Sequence, residues 1–263
     1  MTATENILRA VCSQVRDDFL ILVNANDTKP KRYTEFINGT FLETGKDHPG
    51  GYTRVRLQQL ESVLSWVAEN EKNLRSPQTT CLEGQGMTIE PPDGPNNRRW
   101  MRLFTTMSLT HSDGYVLYTT GFLGGPDHDH LWYPFWDANL GRPIGAKAQR
   151  YQNIDGLFIR EFTNGWAVYN RSGQAQTVTL PASATPVSDR GGGSASQTHL
   201  LPDLDGEIYL KVGVPIDLNA DGTINVLDLI LVSRHFGTTA GDVNADGTTN
   251  ILDLTLVANS FSE

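Results

Sequence analysis

Asp217-Leu-Asn-Ala-Asp-Gly-Thr-Ile-Asn-Val-Leu-Asp228 recurs 25 residues further on as Asp242-Val-Asn-Ala-Asp-Gly-Thr-Thr-Asn-Ile-Leu-Asp253. Counted from each first Asp, oxygen-bearing side chains fall at positions 1, 3, 5, 9 and 12, and Gly222 and Gly247 fall at position 6. This is the spacing of a calcium loop of the EF-hand type. Calcium takes about six to eight hard oxygen ligands, and alternate residues of a tight loop can all point inward at one ion. Glycine at position 6 allows the sharp turn that a Cβ would obstruct. Position 12 is Asp where such loops usually carry Glu, but it opens an apolar helix, so its carboxylate can reach back to the ion.

After each loop runs Leu-Asp-Leu-x-Leu-Val, apolar at Leu227, Leu229, Leu231 and Val232, then at Leu252, Leu254, Leu256 and Val257. These read as one short helix per repeat, packed against its twin. A duplicated calcium loop with a single helix and Asp at position 12 resembles a dockerin module, spanning residues 214–263. The resemblance implies a cohesin partner on a scaffold or surface protein, and an extracellular or cell-surface setting beside polysaccharide-degrading enzymes. Two calcium ions are expected. Asp217, Asn219, Asp221 and Asp228 would hold one with the carbonyl of Thr223; Asp242, Asn244, Asp246 and Asp253 would hold the other with the carbonyl of Thr248. Asn225 and Asn250 would reach the metal directly or through water.

The charge distribution agrees. Residues 214–263 carry seven acids and one base, Arg234, a net of −6 out of −9 for the whole chain of 263 residues. The remainder is close to neutral. An acidic chain argues against nucleic acid as a partner, because phosphate neutralisation needs clustered Lys and Arg. No apolar run is long enough to span a bilayer. Cys12 and Cys81 are too few for a disulfide framework, and both sit in apolar surroundings that suit a buried free thiol.

Residues 146–213 read as an antiparallel β module, a small sandwich. Gly156-Leu-Phe-Ile-Arg-Glu-Phe, Gly165-Trp-Ala-Val-Tyr-Asn and Gln176-Thr-Val-Thr-Leu-Pro are short β-branched and aromatic runs separated by turn residues. The first two form a hairpin across Thr163-Asn164-Gly165, and Glu207-Ile-Tyr-Leu-Lys-Val supplies a closing strand. Arg160 and Trp166 are expected to pair and pack within this module.

Residues 1–145 alternate between helical and extended patterns. Ile7, Leu8, Val11, Cys12 and Val15 keep a helical period and lead into the strand Phe19-Leu-Ile-Leu-Val-Asn24. A second strand is Phe36-Ile-Asn-Gly-Thr-Phe-Leu-Glu43. Leu60, Val63, Leu64 and Val67, then Trp100, Leu103, Phe104 and Met107, mark two helices at i, i+3, i+4, i+7. Between and after them lie the strands Thr79-Thr-Cys-Leu-Glu83 and Gly114-Tyr-Val-Leu-Tyr118. Alternation of this kind means parallel βα units. Four such units are half of a (β/α)8 barrel. No signal peptide precedes the first helix, although an exported protein is expected. The sequence thus reads as the C-terminal part of a longer protein, or as a gene begun too late.

Barrel sites form at the C-terminal ends of strands. Glu43 and Glu83 end consecutive strands, and Asn24 and Asn26 follow the strand before. Paired carboxylates are what glycoside cleavage requires: one protonates the leaving oxygen, the other serves as nucleophile or base. A carboxylate near a helix N-cap or in a surface ion pair is the alternative for each. Ile37-Asn-Gly-Thr-Phe-Leu-Glu43, the run from Leu131 to Gly145 and the run from Phe158 to Asn170 resemble a group of glycoside hydrolases with a TIM barrel and a trailing β-sandwich. The resemblance spans roughly residues 5–185. It implies a catalytic role for Glu43, matching a Glu at the end of the sixth strand, while the group's Asp on the fourth strand has no counterpart here. Trp132 and Trp136 lie after the last strand and can stack on sugar rings; packing at the joint with the β module is their other reading. Asp127-His-Asp-His130 has metal-ligating side chains, but nothing else in the sequence completes a site, so it reads as a polar loop; Thr110-His111-Ser112 reads as a turn. The expectation is a carbohydrate-active protein acting on a polysaccharide or glycan. The alternative is a non-catalytic glycan-binding or scaffold-interaction protein.

Overall fold

The computed structural model describes residues 3–16, 18–24, 34–43, 52–121, 130–188, 194–212, 216–219, 221, 223–244 and 246–261. Helix α1 (Ala3–Gln14) buries Leu8 against Ile21, Phe36 and Ile37, with Cys12 and Val15 half-buried beside them. Strands β1 (Leu22–Asn24), β2 (Gly39–Glu43), β3 (Cys81–Gln85) and β4 (Tyr115–Thr119) form a parallel sheet in chain order. Strands β1 and β2 are shorter than their apolar runs. Asn38 ends the ladder, because its side chain accepts from the Ile21 amide at 2.9 Å.

Helices α2 (Arg54–Asn70) and α3 (Pro95–His111) cover one face of this sheet. The periodic residues Leu60, Val63, Leu64, Leu103, Phe104 and Met107 are buried against Leu42, Leu82 and Tyr118. Contact between α3 and β3 is close: a Cβ on Gly84 would stand 2.4 Å from the Phe104 ring. On the face away from the helices, register sets Glu43 beside Glu83, and Glu83 beside Leu117.

The second sheet is antiparallel: β5 (Leu157–Phe162), β6 (Gly165–Asn170), β7 (Gln176–Pro186), β8 (Ser196–Leu201) and β9 (Asp205–Lys211), in the order β5-β6-β9-β7-β8. The hairpin at Thr163-Asn164 closes as expected, with Phe162 opposite Gly165. The described strands make one continuous five-stranded sheet, in which β7 and β8 fold over the face of β5, β6 and β9 opposite α3. One expectation needs correction. Strand β9 is internal, between β6 and β7, rather than at the closing edge. A bulge in β7 between Thr179 and Ala184 brings Val178, Leu180 and Leu201 onto Leu157, Trp166 and Val168.

One core runs from Leu42 and Leu82 through α3 to Phe158, Tyr169 and Ile208. Arg171 anchors the joint, its Nε and Nη2 standing 2.5 and 2.6 Å from the two carboxyl oxygens of Glu61 on α2. Arg160 is buried and pairs with Asp113 at 2.6 Å while donating to the carbonyls of Leu109 and Ser112. His111 is not in a turn: it closes α3, wholly inside the core.

In the C-terminal segment, α4 (Val226–Arg234) and α5 (Ile251–Asn259) pack through Val232 and Val257, with Val243 between them. No described helix is long and apolar enough to cross a membrane.

Candidate functional site

Each C-terminal loop is wound by its own side chains. Asp217 Oδ1 accepts from the Asp221 amide at 3.2 Å, and Asp242 Oδ1 accepts from Asp246 at 3.0 Å. Asn219 and Asn244 accept from the same amides at 3.0 and 2.8 Å. Asp221 and Asp246 in turn accept from Thr223 and Thr248 at 2.9 and 3.0 Å. Gly247 takes φ +97°, a conformation that L side chains rarely adopt. Among their described residues the two loops therefore share one hydrogen-bonding pattern as well as one sequence pattern.

Position 12 locks loop to helix. Asp228 Oδ1 accepts from the amides of Leu218 and Asn219 at 2.8 and 3.3 Å, and Oδ2 from Asn225 at 2.9 Å. The Asn225 amide leads these bonds in holding the Asp228 carboxyl below the usual range. Asp253 repeats the arrangement on Asn244 and Asn250 at 3.0 and 2.7 Å. Asn225 and Asn250 cap the helices, their Oδ1 atoms accepting from Leu227 and Leu252 at 2.8 Å. Among the described residues no three His, Cys, Asp or Glu side chains converge as metal ligands; the acids are turned to backbone amides. The donor set itself, three Asp, two Asn and a carbonyl per loop, is entirely hard oxygen and suits calcium over softer metals.

Leu227 and Leu252, expected to pack on the opposite helix, are instead 51% and 59% exposed. Each precedes the buried Asp at position 12, and one residue is about 100° round a helix, so burying the acid turns its neighbour outward. Val226 and Ile230 on α4 and Ile251 on α5 are exposed too, so the two helices present matching apolar faces.

At the parallel sheet, Glu43 closes β2 and accepts from Asn24 Nδ2 at 2.9 Å. Glu83, next to it in register, has 0% exposure, and its Oε1 lies 2.8 Å from His130 Nε2. His130 is fixed there by an antiparallel bridge to Thr119 at the end of β4. The fold gathers Asn24, Glu43 and Glu83, but Glu83 does not end its strand as expected. It lies in the middle of β3, which runs on through Gly84 and Gln85. A histidine read only as a loop residue joins it. Nothing in the chain near His130 signals a carboxylate 47 residues earlier. Two residues before Glu83 on the same face, Cys81 is buried, and desolvation followed by the Glu83 charge pushes its thiol up to about 11. Both cysteines are free. Asn26 and residues 127–129 lie outside the described residues.

Trp132 is 70% exposed and donates to Asp137 at 2.8 Å. Trp136 is half-buried and donates to Thr105 on α3 at 2.8 Å, while Tyr133 and Phe135 are buried. The loop therefore divides its aromatics: Trp132 offers a free face, and the others fill the joint.

Residues 215–262 match the family model of the dockerin type I domain. No curated protein matches the chain. The C-terminal segment is a dockerin module, as its duplicated loop implies. Dockerin modules bind calcium and bind cohesins in cellulosome-type extracellular complexes.

Proposed function

We propose that the chain is an extracellular glycoside hydrolase tethered to a cohesin through a dockerin that holds two calcium ions. The dockerin match carries this reading, since such modules place proteins in polysaccharide-degrading complexes. Asp217, Asn219, Asp221, the Thr223 carbonyl and Asp228 would hold one ion; Asp242, Asn244, Asp246, the Thr248 carbonyl and Asp253 would hold the other. Asn225 and Asn250 act through water, because direct ligation by Oδ1 would break the helix caps. Calorimetry should count two calcium ions per chain; a single ion would overturn this ligand assignment.

For the chemistry, the parallel sheet is taken as part of a barrel with Glu43 as general acid. Asn24 orients its carboxyl, and Glu83 is the second carboxylate on the adjacent strand, about 5 Å away by strand spacing. That is near the separation of retaining glycosidases. Trp132 offers a stacking face for the glycan at the rim, and Trp136 supports it from below. Glu43→Gln keeps the shape but removes the transferable proton. It should lower hydrolysis of a responsive polysaccharide by about 10²–10⁴-fold while leaving binding intact. Glu83's complete burial favours a second reading, a non-catalytic glycan-binding protein on the same dockerin. Binding without any hydrolysis across a polysaccharide panel would establish that reading instead.

A further inference from the structure

Pro95, Arg98, Met101 and Arg102 fall on one stripe of α3, and that stripe lines a cavity of about 540 Å³. Residues 131–135, with Val187 and Ser188 just past β7, complete the lining. The volume lies within the roughly 300–1,000 Å³ of small-ligand sites. Asn24, Glu43, Glu83 and His130 are not among its described lining residues. Its aromatic side is held rigid. Tyr133 is buried, and its hydroxyl donates to the Pro92 carbonyl at 3.1 Å, which ties the aromatic loop to the segment before α3. Trp132 stands edge-on to Trp136, ring centres 5.6 Å apart and planes at 81°, and its indole N–H is held by Asp137. An exposed indole fixed in this way has already lost rotamer freedom, so laying a flat ligand on it costs little further entropy.

The charges around the cavity balance. Arg102 is committed to Asp205, Nε to Oδ1 at 3.2 Å and Nη2 to Oδ2 at 3.1 Å. Ser188 is committed to Glu207. The first turn of α3, which would otherwise draw an anion, is answered by Glu90, whose carboxylate accepts from the Asn97 amide at 2.6 Å. Asp93 and Arg98 are the exposed charges of the lining, one of each sign. A phosphate or an acidic sugar would meet no surplus of positive charge there.

We propose that this cavity is a subsite for a neutral polysaccharide chain, with Trp132 under the apolar face of a pyranose and Asp93 and Arg98 at its hydroxyls. The proposal rests on the reading of Trp132 as a sugar platform, and adds the class of glycan and the side chains that select it. A pyranose presents a face of C–H bonds and a rim of hydroxyls, each both donor and acceptor. Trp132 matches the face. At the rim the Asp93 carboxylate accepts and the Arg98 guanidinium donates. A uronate would bring its carboxylate up to Asp93 uncompensated, and like charges set together cost affinity. Trp132 also lines a cavity of about 420 Å³ beside β4, but that lining has no Asp, Glu, Lys or Arg among its described residues to fix the hydroxyls of a sugar.

The test is calorimetry on the full chain with calcium present, carrying Glu43→Gln so that no ligand is consumed. The probes are cellohexaose, xylohexaose, mannohexaose and an oligogalacturonate, each at about 1 mM. At least one neutral probe should bind, and the acidic one should not. Trp132→Ala should weaken binding at least about tenfold, the scale of an aromatic anchor. Asp93→Ala and Arg98→Ala should each weaken it about three- to tenfold. Tyr115→Ala, which alters the lining of the other cavity alone, should leave it unchanged. All four side chains are exposed, and circular dichroism checks that each variant folds. Oligogalacturonate binding as tightly as the neutral probes, no binding by any neutral probe, or a loss in Tyr115→Ala with Asp93→Ala and Arg98→Ala intact would overturn the proposal. Hydrolysis assays on the chain with Glu43 restored separate this from the hydrolase reading. Binding without hydrolysis leaves the subsite standing, whereas hydrolysis with a KM unmoved by Asp93→Ala and Arg98→Ala removes the subsite and keeps the hydrolase.

Discussion

His111 closes α3 with its ring 4.5 Å from the ring of Phe158, and its Nδ1 donates to the Met107 carbonyl at 3.1 Å. That bond fixes the tautomer and leaves Nε2 buried without a partner among the described residues. Burial first, then the charges of Arg171 and Arg160, push the imidazole down to about 4, against the pull of Met107. An unfolded histidine titrates near 6.5. Below that pH the unfolded chain takes up a proton that the folded one refuses, so stability is full above 6.5 and lost as pH falls toward 4. The loss should reach about 2 kcal/mol by pH 5. In His111→Phe, urea melts at pH 7 and pH 5 should differ by that much less. Arg171 makes the opposite case. Glu61 has its carboxyl raised by burial despite the guanidinium beside it. Removing only the cation in Arg171→Ala should cost about 3–5 kcal/mol in denaturant melts, because the carboxylate stays buried. Replacing both partners with Met and Leu should restore much of that.

At the scale of elements, α3 is set directly on β3. Gly84→Ala places a methyl group against the Phe104 ring and should destabilise by about 1–3 kcal/mol, read as a lower melting midpoint. Helices α4 and α5 depend on their loops. Chelating calcium should reduce helical circular dichroism of the C-terminal segment, since six Asp in about fifty residues then repel one another; an unchanged spectrum would refute the metal assignment. Asp253→Ala removes the group that ties loop to helix and should halve the calcium stoichiometry. Helix α2 was legible because it buries one stripe of period 3.6; in α3 the predicted stripe is buried too, but the second sheet also covers Thr106, Thr110 and His111, which a single stripe does not announce. Strand starts were less so, because an apolar run such as Phe19-Leu-Ile does not reveal where Asn38 intercepts the ladder. The outward turn of Leu227 depended on the burial of Asp228, a polar residue that hydropathy places outside. His130 was beyond reach, since only the fold brings it to Glu83.

For the whole molecule, the sequence divides into three compositional blocks, whereas the packing of residues 1–212 does not. Leu42 from the first block and Tyr169 and Ile208 from the second share one core around α3. Calorimetry should therefore give two transitions: one for residues up to about 212, and one for the dockerin that alone shifts when calcium is withdrawn. Three melting steps would mean that the two sheets unfold separately.

Helix α3 is in effect a party wall, with a dwelling on either side. A gene shuffled at the compositional seam near residue 145 would leave that wall bare in both products, exposing Phe104 to Ile208 contacts that no new neighbour is shaped to replace. The dockerin is the part that recombination could move freely, because its helices close on each other through Val232 and Val257. Natural relatives, if traced, should thus swap their C-terminal fifty residues readily and inherit the two sheets together. Expressed alone, residues 1–145 should accumulate as insoluble protein.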